Sequence, residues 1–550
     1  MPQAIIRHFS FLLCIAASFF TAFAAFGQQD TLGLREIEMG DTVVPSLSAD
    51  PAFVPADSLE PFPVRYIVPP VTPDSIDVVR LRPKKFWRAA AEVFGFNMGL
   101  WSFDRFVQHG EYAYINLNTI KENFRHGFRW DDDYLGTNMF LHPYMGSLYY
   151  NAGRSNGYNF WQSELFAISG SAMWELFMEN EYPSINDIIA TPVGGAAIGE
   201  VLYRTSDLII DDRSSGAERV GREVAVFLVS PMRGFTRLVT GRAWERRASS
   251  GRRFGLPPIS VEVSLGARWL TMHDNQQTTR AGAAASIAIE YGRKYRQSQT
   301  PYDYFSFLIE LNAVKTQPLL SRLNIMGRLL ARDVVDQPKT KMTLGLYQHF
   351  DFFDSDTITD RTPDPYRPCA VPYKLGAPAQ IGAGLMLLHK PSEKIRFEAY
   401  AHGNAVILAG ILTDFYRTYH RNYNWGGGLA VKGGFSYSLG GGKVRFSLDN
   451  QFYLVYTKNG THSYKDMSIL PNGQPTGIEG DNSRAWFDHL EARFTYRIHS
   501  RLSVTTGIDF YKRKTRYGHI LEEGLTTPLP NPYRVNSSQL GWHLMLNYRL

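Results

Sequence analysis

The sequence predicts a mixed fold: an N-terminal helical domain followed by an antiparallel transmembrane β-barrel of about twelve strands. Three observations predict it. Apolar and polar residues alternate with a period of two after about residue 258, the alternation runs to the last residue, and a helical period fills the stretch between about 86 and 241. The first comb sets Ile259, Val261, Val263, Leu265, Ala267 and Trp269 against Ser260, Glu262, Ser264, Gly266 and Arg268. It returns in Phe305, Phe307, Ile309 and Leu311, in Val444, Phe446 and Leu448, in Phe452, Leu454 and Tyr456, and in Leu502, Val504, Ile508 and Phe510. Period two puts one set of side chains on each face of a strand. In a soluble sandwich the apolar set faces a core. In a membrane barrel it faces lipid and the polar set faces a lumen.

Two features choose the barrel. Leu540, Trp542, Leu544, Leu546, Tyr548 and Leu550 alternate with Asn547 and Arg549 to the end of the chain. This segment resembles the terminal strand of bacterial outer-membrane barrels, which assembly machinery recognises, although that family usually ends in Phe and this chain ends in Leu550. The connections also alternate, long near 354–375, 410–422, 457–484 and 512–537 and short at 389–394, 440–442 and 499–501, as outer loops and periplasmic turns do. Lipid offers no partner to a backbone N–H or C=O, so a sheet in a membrane must close on itself. The polar comb of Glu262, Arg268, Glu290, Glu310, Arg328, Glu398, Asp449, Arg493 and Asp509 then lines the interior, its mixed signs pointing to internal pairing or a plugged lumen.

Arg7 and His8, an apolar run over 9–20 and the step Ala22-Phe23-Ala24 read as a secretory signal over 1–27. Leu13 stands where a lipoprotein signal needs a small residue, so Cys14 is a poor lipid acceptor. Cleavage leaves Cys369 as the lone thiol, and no internal disulfide can form. Pro61, Pro63, Pro69 and Pro70 mark 28–85 as a linker. The 550 residues carry 58 Lys+Arg against 52 Asp+Glu, a net +6 spread thinly, which singles out no nucleic-acid partner. Helices are expected at 86–107, 158–180, 185–210 and 217–239 in a helical domain over 86–250, with the barrel over 255–550. Each helix carries charge, as at Glu92, Asp104, Glu175, Glu200 and Arg204, so none reads as lipid-spanning. Gly194, Gly195, Ala196, Ala197 and Gly199 let one helix approach a neighbour closely.

The middle segment holds Trp130, Asp131 to Asp133, Thr137-Asn138, His142-Pro143, Gly146, Tyr149, Gly157, Ser163, Ser171 and Trp174-Glu175. Pro183-Ser184, Asp187, Thr191-Pro192, Gly195 and Gly199-Glu200 follow. Over about 90–215 this string resembles an uncharacterised domain-of-unknown-function family of exported proteins from Gram-negative bacteria. The resemblance brings no established activity and supplies no catalytic residue.

The candidate chemistry lies on the helix at 158–180, where Glu164, Ser171, Glu175 and Glu179 share a face. With His142 nearby, Glu164, Ser171 and Glu175 are the candidate catalytic residues. His142, Glu175, Glu179, Asp187 and Glu200 are the candidate metal ligands. The plainer reading is a solvated stripe that pairs with Arg125, Arg129, Arg154 or barrel arginines. Asp131 to Asp133 fit a turn better than a calcium loop. Tyr149-Tyr150, Tyr291, Tyr304, Trp425 and Tyr496 read as interfacial girdles. No cofactor motif is present. The expected function is an outer-membrane barrel whose helical domain plugs the lumen or caps its periplasmic mouth, with a structural, gating or transport role. Its expected partners are outer-membrane lipids and the barrel-assembly machinery. The alternative is an outer-membrane enzyme that acts on lipid or envelope glycan through the Glu/Ser/His cluster.

Overall fold

The computed structural model describes residues 83–272, 279–315, 317–355, 372–414, 421–460, 478–518 and 534–550. The expected signal, most of the linker and Cys369 lie outside them. Twelve antiparallel strands close into one barrel, each paired with its sequence neighbours and the last returning to the first. They are β1 (Ile259–Met272), β2 (Thr279–Gly292), β3 (Tyr304–Val314), β4 (Leu320–Asp336), β5 (Thr340–Asp354) and β6 (Lys374–Ser392). Then come β7 (Ile395–Leu412), β8 (Tyr423–Leu439), β9 (Val444–Thr457), β10 (Ser483–Arg497), β11 (Leu502–Tyr517) and β12 (Arg534–Arg549). The closing seam pairs Leu265 with Leu546 and Trp269 with Trp542, whose rings stack at 4.3 Å. Turns at 337–339, 393–394, 440–443 and 498–501 join strands at one end, and the longer connections from β5 onward lie at the other.

Parity assigns the two faces. Arg322 of β4 reaches Glu491 of β10 at 3.0 Å, so these side chains cross the lumen between strands that are not neighbours. The alternate set points outward: Leu265, Leu429, Val431, Phe446, Phe494, Ile508, Leu540, Leu544 and Leu546 are exposed apolar residues. An exposed belt of this size is out of place on a water-facing surface.

Seven helices precede the barrel among the described residues: α1 (Phe86–Phe103), α2 (Leu117–His126), α3 (His142–Ser155), α4 (Phe160–Phe177), α5 (Ile185–Ile209), α6 (Gly216–Val229) and α7 (Pro231–Val239). Asn116 and Asn159 start α2 and α4 with capping boxes, their side chains satisfying the first free N–H groups. The helix expected at 217–239 breaks at Ser230-Pro231, because Pro lacks the N–H that would continue it. The small residues of α5 meet α3. A Cβ on Gly146 would lie 1.8 Å from the Thr191 carbonyl oxygen, and one on Gly195 would lie 2.5 Å from the Gly146 carbonyl carbon. Gly146→Ala therefore pushes the two backbones apart and costs about 1–3 kcal/mol, read as earlier denaturant release of the bundle in limited proteolysis.

The bundle lies against the outer wall of the barrel, which corrects the expectation of a plug or a mouth cap. Trp425, Gly410, Gly376, Phe352, Leu323, Ile309 and Ile287 are successive cross-strand partners from β8 to β2. All belong to the outward set, and the helices cover them. Trp130 stacks on Trp425 at 5.5 Å, Met139 fills the space beside Gly376 and Gly410, and Gln348 donates to the Val193 carbonyl at 2.8 Å. Leu323, Ile325, Phe350 and Phe352 share one apolar core with Leu148, Ala197 and Val201. The physical reason is complementarity: the outer wall is apolar and the lumen is charged, so an apolar helix face gains only on the outside. One further expectation is corrected. Of the supposed girdle aromatics only Tyr496 is exposed. Tyr149 and Tyr150 are core residues of the bundle, Tyr291 and Trp425 are sealed beneath it, and Tyr304 is buried on the lumen side. Among the described residues α5 alone has the length and composition to cross a bilayer, and most of that stretch is buried in the protein, as in a core helix.

Candidate functional site

The lumen holds a cavity of about 830 Å³ that opens at the short-turn end, where Glu393, Lys394, Gly441, Ser500 and Arg501 line it. Twelve Lys and Arg and nine Asp and Glu form its wall. Most of these charges pair: Arg493 with Asp449 at 2.9 Å, Arg322 with Glu491, and Arg268 with Asp509 at 3.3 Å. The excess is positive and lies at the mouth, at Lys394, Arg497, Arg501 and Arg549. Mixed signs and internal pairing are what the polar comb implied.

The cavity ends in the barrel's own side chains. Phe353, Tyr373, Tyr453, Phe487 and Tyr511 converge from the wall into one buried layer. Phe353 and Phe487 lie 5.3 Å apart, and Tyr373 stacks on Tyr511 at 4.3 Å. Beyond them, toward the long connections, Arg513 grips Asp414 through two bonds of 2.7 and 2.8 Å, and Tyr517 donates to the same carboxylate. Beneath the layer Lys432 bridges Asp351 and His349, and His349 meets His402 at 3.2 Å. Sequence reasoning placed acids and bases in the lumen but missed this closure, because lumen-facing aromatics match lipid-facing ones in composition.

A second constriction narrows the open end. The β2–β3 connection is drawn inward by Arg328, which donates to the carbonyls of Arg293, Lys294 and Arg296 and pairs with Asp303 at 2.8 Å. Tyr295 then donates to Glu398 across the mouth at 2.7 Å. Arg328→Ala leaves these carbonyls without their donor and frees the connection. The expected outcome is faster trypsin cleavage at Arg293 and Lys294, with barrel migration on gels unchanged.

His489, Glu491 and Asp509 cluster closely enough to hold a metal. Their oxygens are already bound by Arg268, Arg322 and Arg493, so a cation there would have to displace three guanidinium groups.

The candidate residues of the bundle do not form one cluster. His142, Glu175, Glu179 and Asp187 gather near the start of α5, close to the long-connection end. His142 Nε2 lies 3.9 Å from Asp187 Oδ1, which has no hydrogen-bond partner although Asp187 is buried. Glu175 accepts the Ser184 N–H at 2.7 Å, and Glu179, beyond the end of α4, accepts the Trp174 indole N–H at 3.2 Å. Ser171 donates to the Asp187 carbonyl at 3.2 Å. That bond occupies the hydroxyl with backbone and presents no base to it. Glu164 stands apart, one carboxylate oxygen buried without a partner. Glu200 lies far down α5, where Arg154 (2.7 Å), Arg204 (2.8 Å) and Tyr150 (2.8 Å) saturate it, so it joins no metal set with the others.

Asp131 and Asp132, missed as members of this group, anchor it to the barrel. Asp131 accepts from Asn138 at 2.5 Å and from Ser184, and Asp132 pairs with Arg421 at 3.0 Å. Burial, and then the charge of Asp131, holds the Asp133 carboxyl well above the ordinary carboxylate range. Burial and Glu175 do the same to Glu179. Both lie on segments between helices. A raised folded value means that stability is full below about pH 4 and falls as pH rises through the raised value. Amide protection factors over 127–136 and 178–184, taken against the unstructured rate at each pH, should therefore fall between acid and neutral pH, whereas unchanged factors would contradict the raised carboxyls.

The geometry defines a twelve-stranded closed barrel with a charged, blind lumen and a helical bundle on its wall. Residues 127–232, which run from the segment before α3 into α7, match a family described as Domain of unknown function (DUF3943). No curated protein matches the chain. Among solved structures it is similar to the NanC porin, at 8% identity over 53% of this chain and 100% of that one, with a TM-score of 0.25. An outer membrane channel from Pseudomonas putida F1 gives 8% identity, 54% and 96% coverage, and 0.26. Outer membrane phospholipase A from Escherichia coli gives 10%, 52% and 89%, and 0.22. At such TM-scores the strand pairing itself carries the barrel assignment.

Proposed function

We propose that this protein is an outer-membrane β-barrel that acts as a gated vestibule for small anionic solutes, open at its short-turn end. The observation that carries the reading is the blind lumen: a cavity lined by twelve basic and nine acidic residues, stopped by an aromatic layer and the buried Arg513–Asp414 pair. Outer-membrane barrels place short turns in the periplasm, so the vestibule faces the periplasm and the closed layer faces outward. The alternating terminal strand serves as the signal for the assembly machinery. Charge supplies selectivity, because a low-dielectric cleft with excess positive charge concentrates anions. Ser447, on the lumen face, reports it. A Ser447→Cys variant should react faster with a sulfonate-bearing thiosulfonate than with a trimethylammonium one, and the difference should shrink in high salt. Equal rates would contradict the anion preference. Recovery of the chain in the inner membrane or the soluble fraction would contradict the location.

A second reading, an envelope enzyme, is favoured by one observation, the unpartnered Asp187 Oδ1 beside His142. Asp187→Asn should then abolish an envelope phenotype that Phe487→Ala leaves intact.

A further inference from the structure

We infer that the helical bundle shares the bilayer with the barrel, its outward faces contacting acyl chains as the bare strands do. The inference rests on the outer-membrane reading and goes beyond it. A barrel in a membrane is ringed by lipid unless protein takes its place. The covered arc runs from Trp425, beside the long-connection end of β8, down to Tyr291 at the short-turn end of β2, so the helices displace lipid over the height of the wall.

Length agrees. The 25 residues of α5 span about 37 Å at roughly 1.5 Å each. Strands of such barrels tilt about 35–45°, and α5 follows a line of cross-strand partners, so it descends roughly 21–26 Å along the barrel axis, close to the ~25 Å apolar band.

The far side of the bundle supplies the independent observation. Trp161 and Leu165 of α4 are 59% and 63% exposed, and Phe94 of α1 and Val224 and Phe227 of α6 are also bare. These positions are spread over three helices, as the bare apolar residues of the barrel are spread over its strands. The Glu200 group is turned the other way: its one carboxylate is buried between the Arg154 and Arg204 guanidinium groups, while Glu122 and Arg125 of α2 and Glu218 at the start of α6 stay exposed. Burial against a partner is what hydrocarbon demands of charges within a helix. Where the bare barrel presents Leu429, Leu544 and Leu546, the covered arc presents these helical residues instead. The partner is therefore hydrocarbon.

Spin labels test this in the full chain reconstituted in phosphatidylethanolamine–phosphatidylglycerol vesicles, with Cys369→Ser as background. Labels at Leu165→Cys and Val224→Cys are compared with a bare strand position, Leu544→Cys, and a turn position, Lys443→Cys. Collision with oxygen relative to a water-soluble nickel chelate is expected to match Leu544→Cys and to exceed Lys443→Cys several-fold. A ratio equal to that of Lys443→Cys would overturn the inference by placing the bundle in water. Collision with neither reagent would overturn it by placing a protein there. If Leu544→Cys itself behaves like Lys443→Cys, the barrel is not in lipid and the underlying reading fails instead.

Discussion

Phe487→Ala combined with Arg513→Ala should turn a chain that is silent in planar bilayers into one that conducts. Phe487 touches Phe353, Tyr373 and Tyr453 in the layer that closes the lumen, and Arg513 supplies the counter-charge and two of the hydrogen bonds that hold Asp414 beyond it, beside the Tyr517 hydroxyl. Removing the ring deletes the centre of the layer. Removing the guanidinium leaves a buried carboxylate that draws in water, since an unpaired ion in a dry site costs several kcal/mol (about 3–5 when one partner of a pair is lost). The two changes together join the vestibule to the far side. The current should reverse at a potential that reports anion preference, because Arg497, Arg501 and Arg549 remain at the mouth. A wild-type chain that already conducts as well as the double variant would show that the layer is no barrier.

The second large effect concerns the bundle. Glu200→Ala leaves Arg154 and Arg204 buried with no counter-charge, and Arg204 also donates to the Pro301 carbonyl at 2.7 Å, which ties the bundle to the β2–β3 connection. The expected cost is about 3–5 kcal/mol, enough to release the helices while the barrel stays closed. Limited proteolysis should then remove residues 86–241 from a barrel that keeps its heat-modifiable migration. Replacing all three charges with Leu and Met should recover much of the loss, as it does where packing can substitute for a buried ion network. No rescue would mean that the network does more than satisfy its own buried groups.

Much of the barrel was legible because period two is a local signal. Ile259 to Trp269 and Leu540 to Leu550 each report a strand without knowledge of the rest of the chain. The bundle was less legible for two reasons. From Pro143 to Ser155 every residue of α3 but Met145 is buried, so no solvated face marks the helical period and no helix was expected there. The side of the wall that carries the helices was hidden as well. Leu323 and Phe352, sealed under α5, have the same composition as Leu429 and Val431, which stand bare.

The site divided along similar lines. Helical spacing placed Ser171 and Glu175 on a common face, and both are buried together. It also placed Glu164 and Glu179 there, but one lies apart and the other follows the last turn of α4. Glu200 and its arginines form a separate structural knot, since thirteen residues of α5, roughly 20 Å of helix, separate it from Asp187.

Electron cryomicroscopy of the full chain in a lipid nanodisc tests the central claim most directly. It should show the seven helices beside β2 to β8 within the disc, with the lumen empty below a side-chain layer at Phe487. Helical density inside the barrel, or hanging beneath its short turns outside the disc, would contradict it.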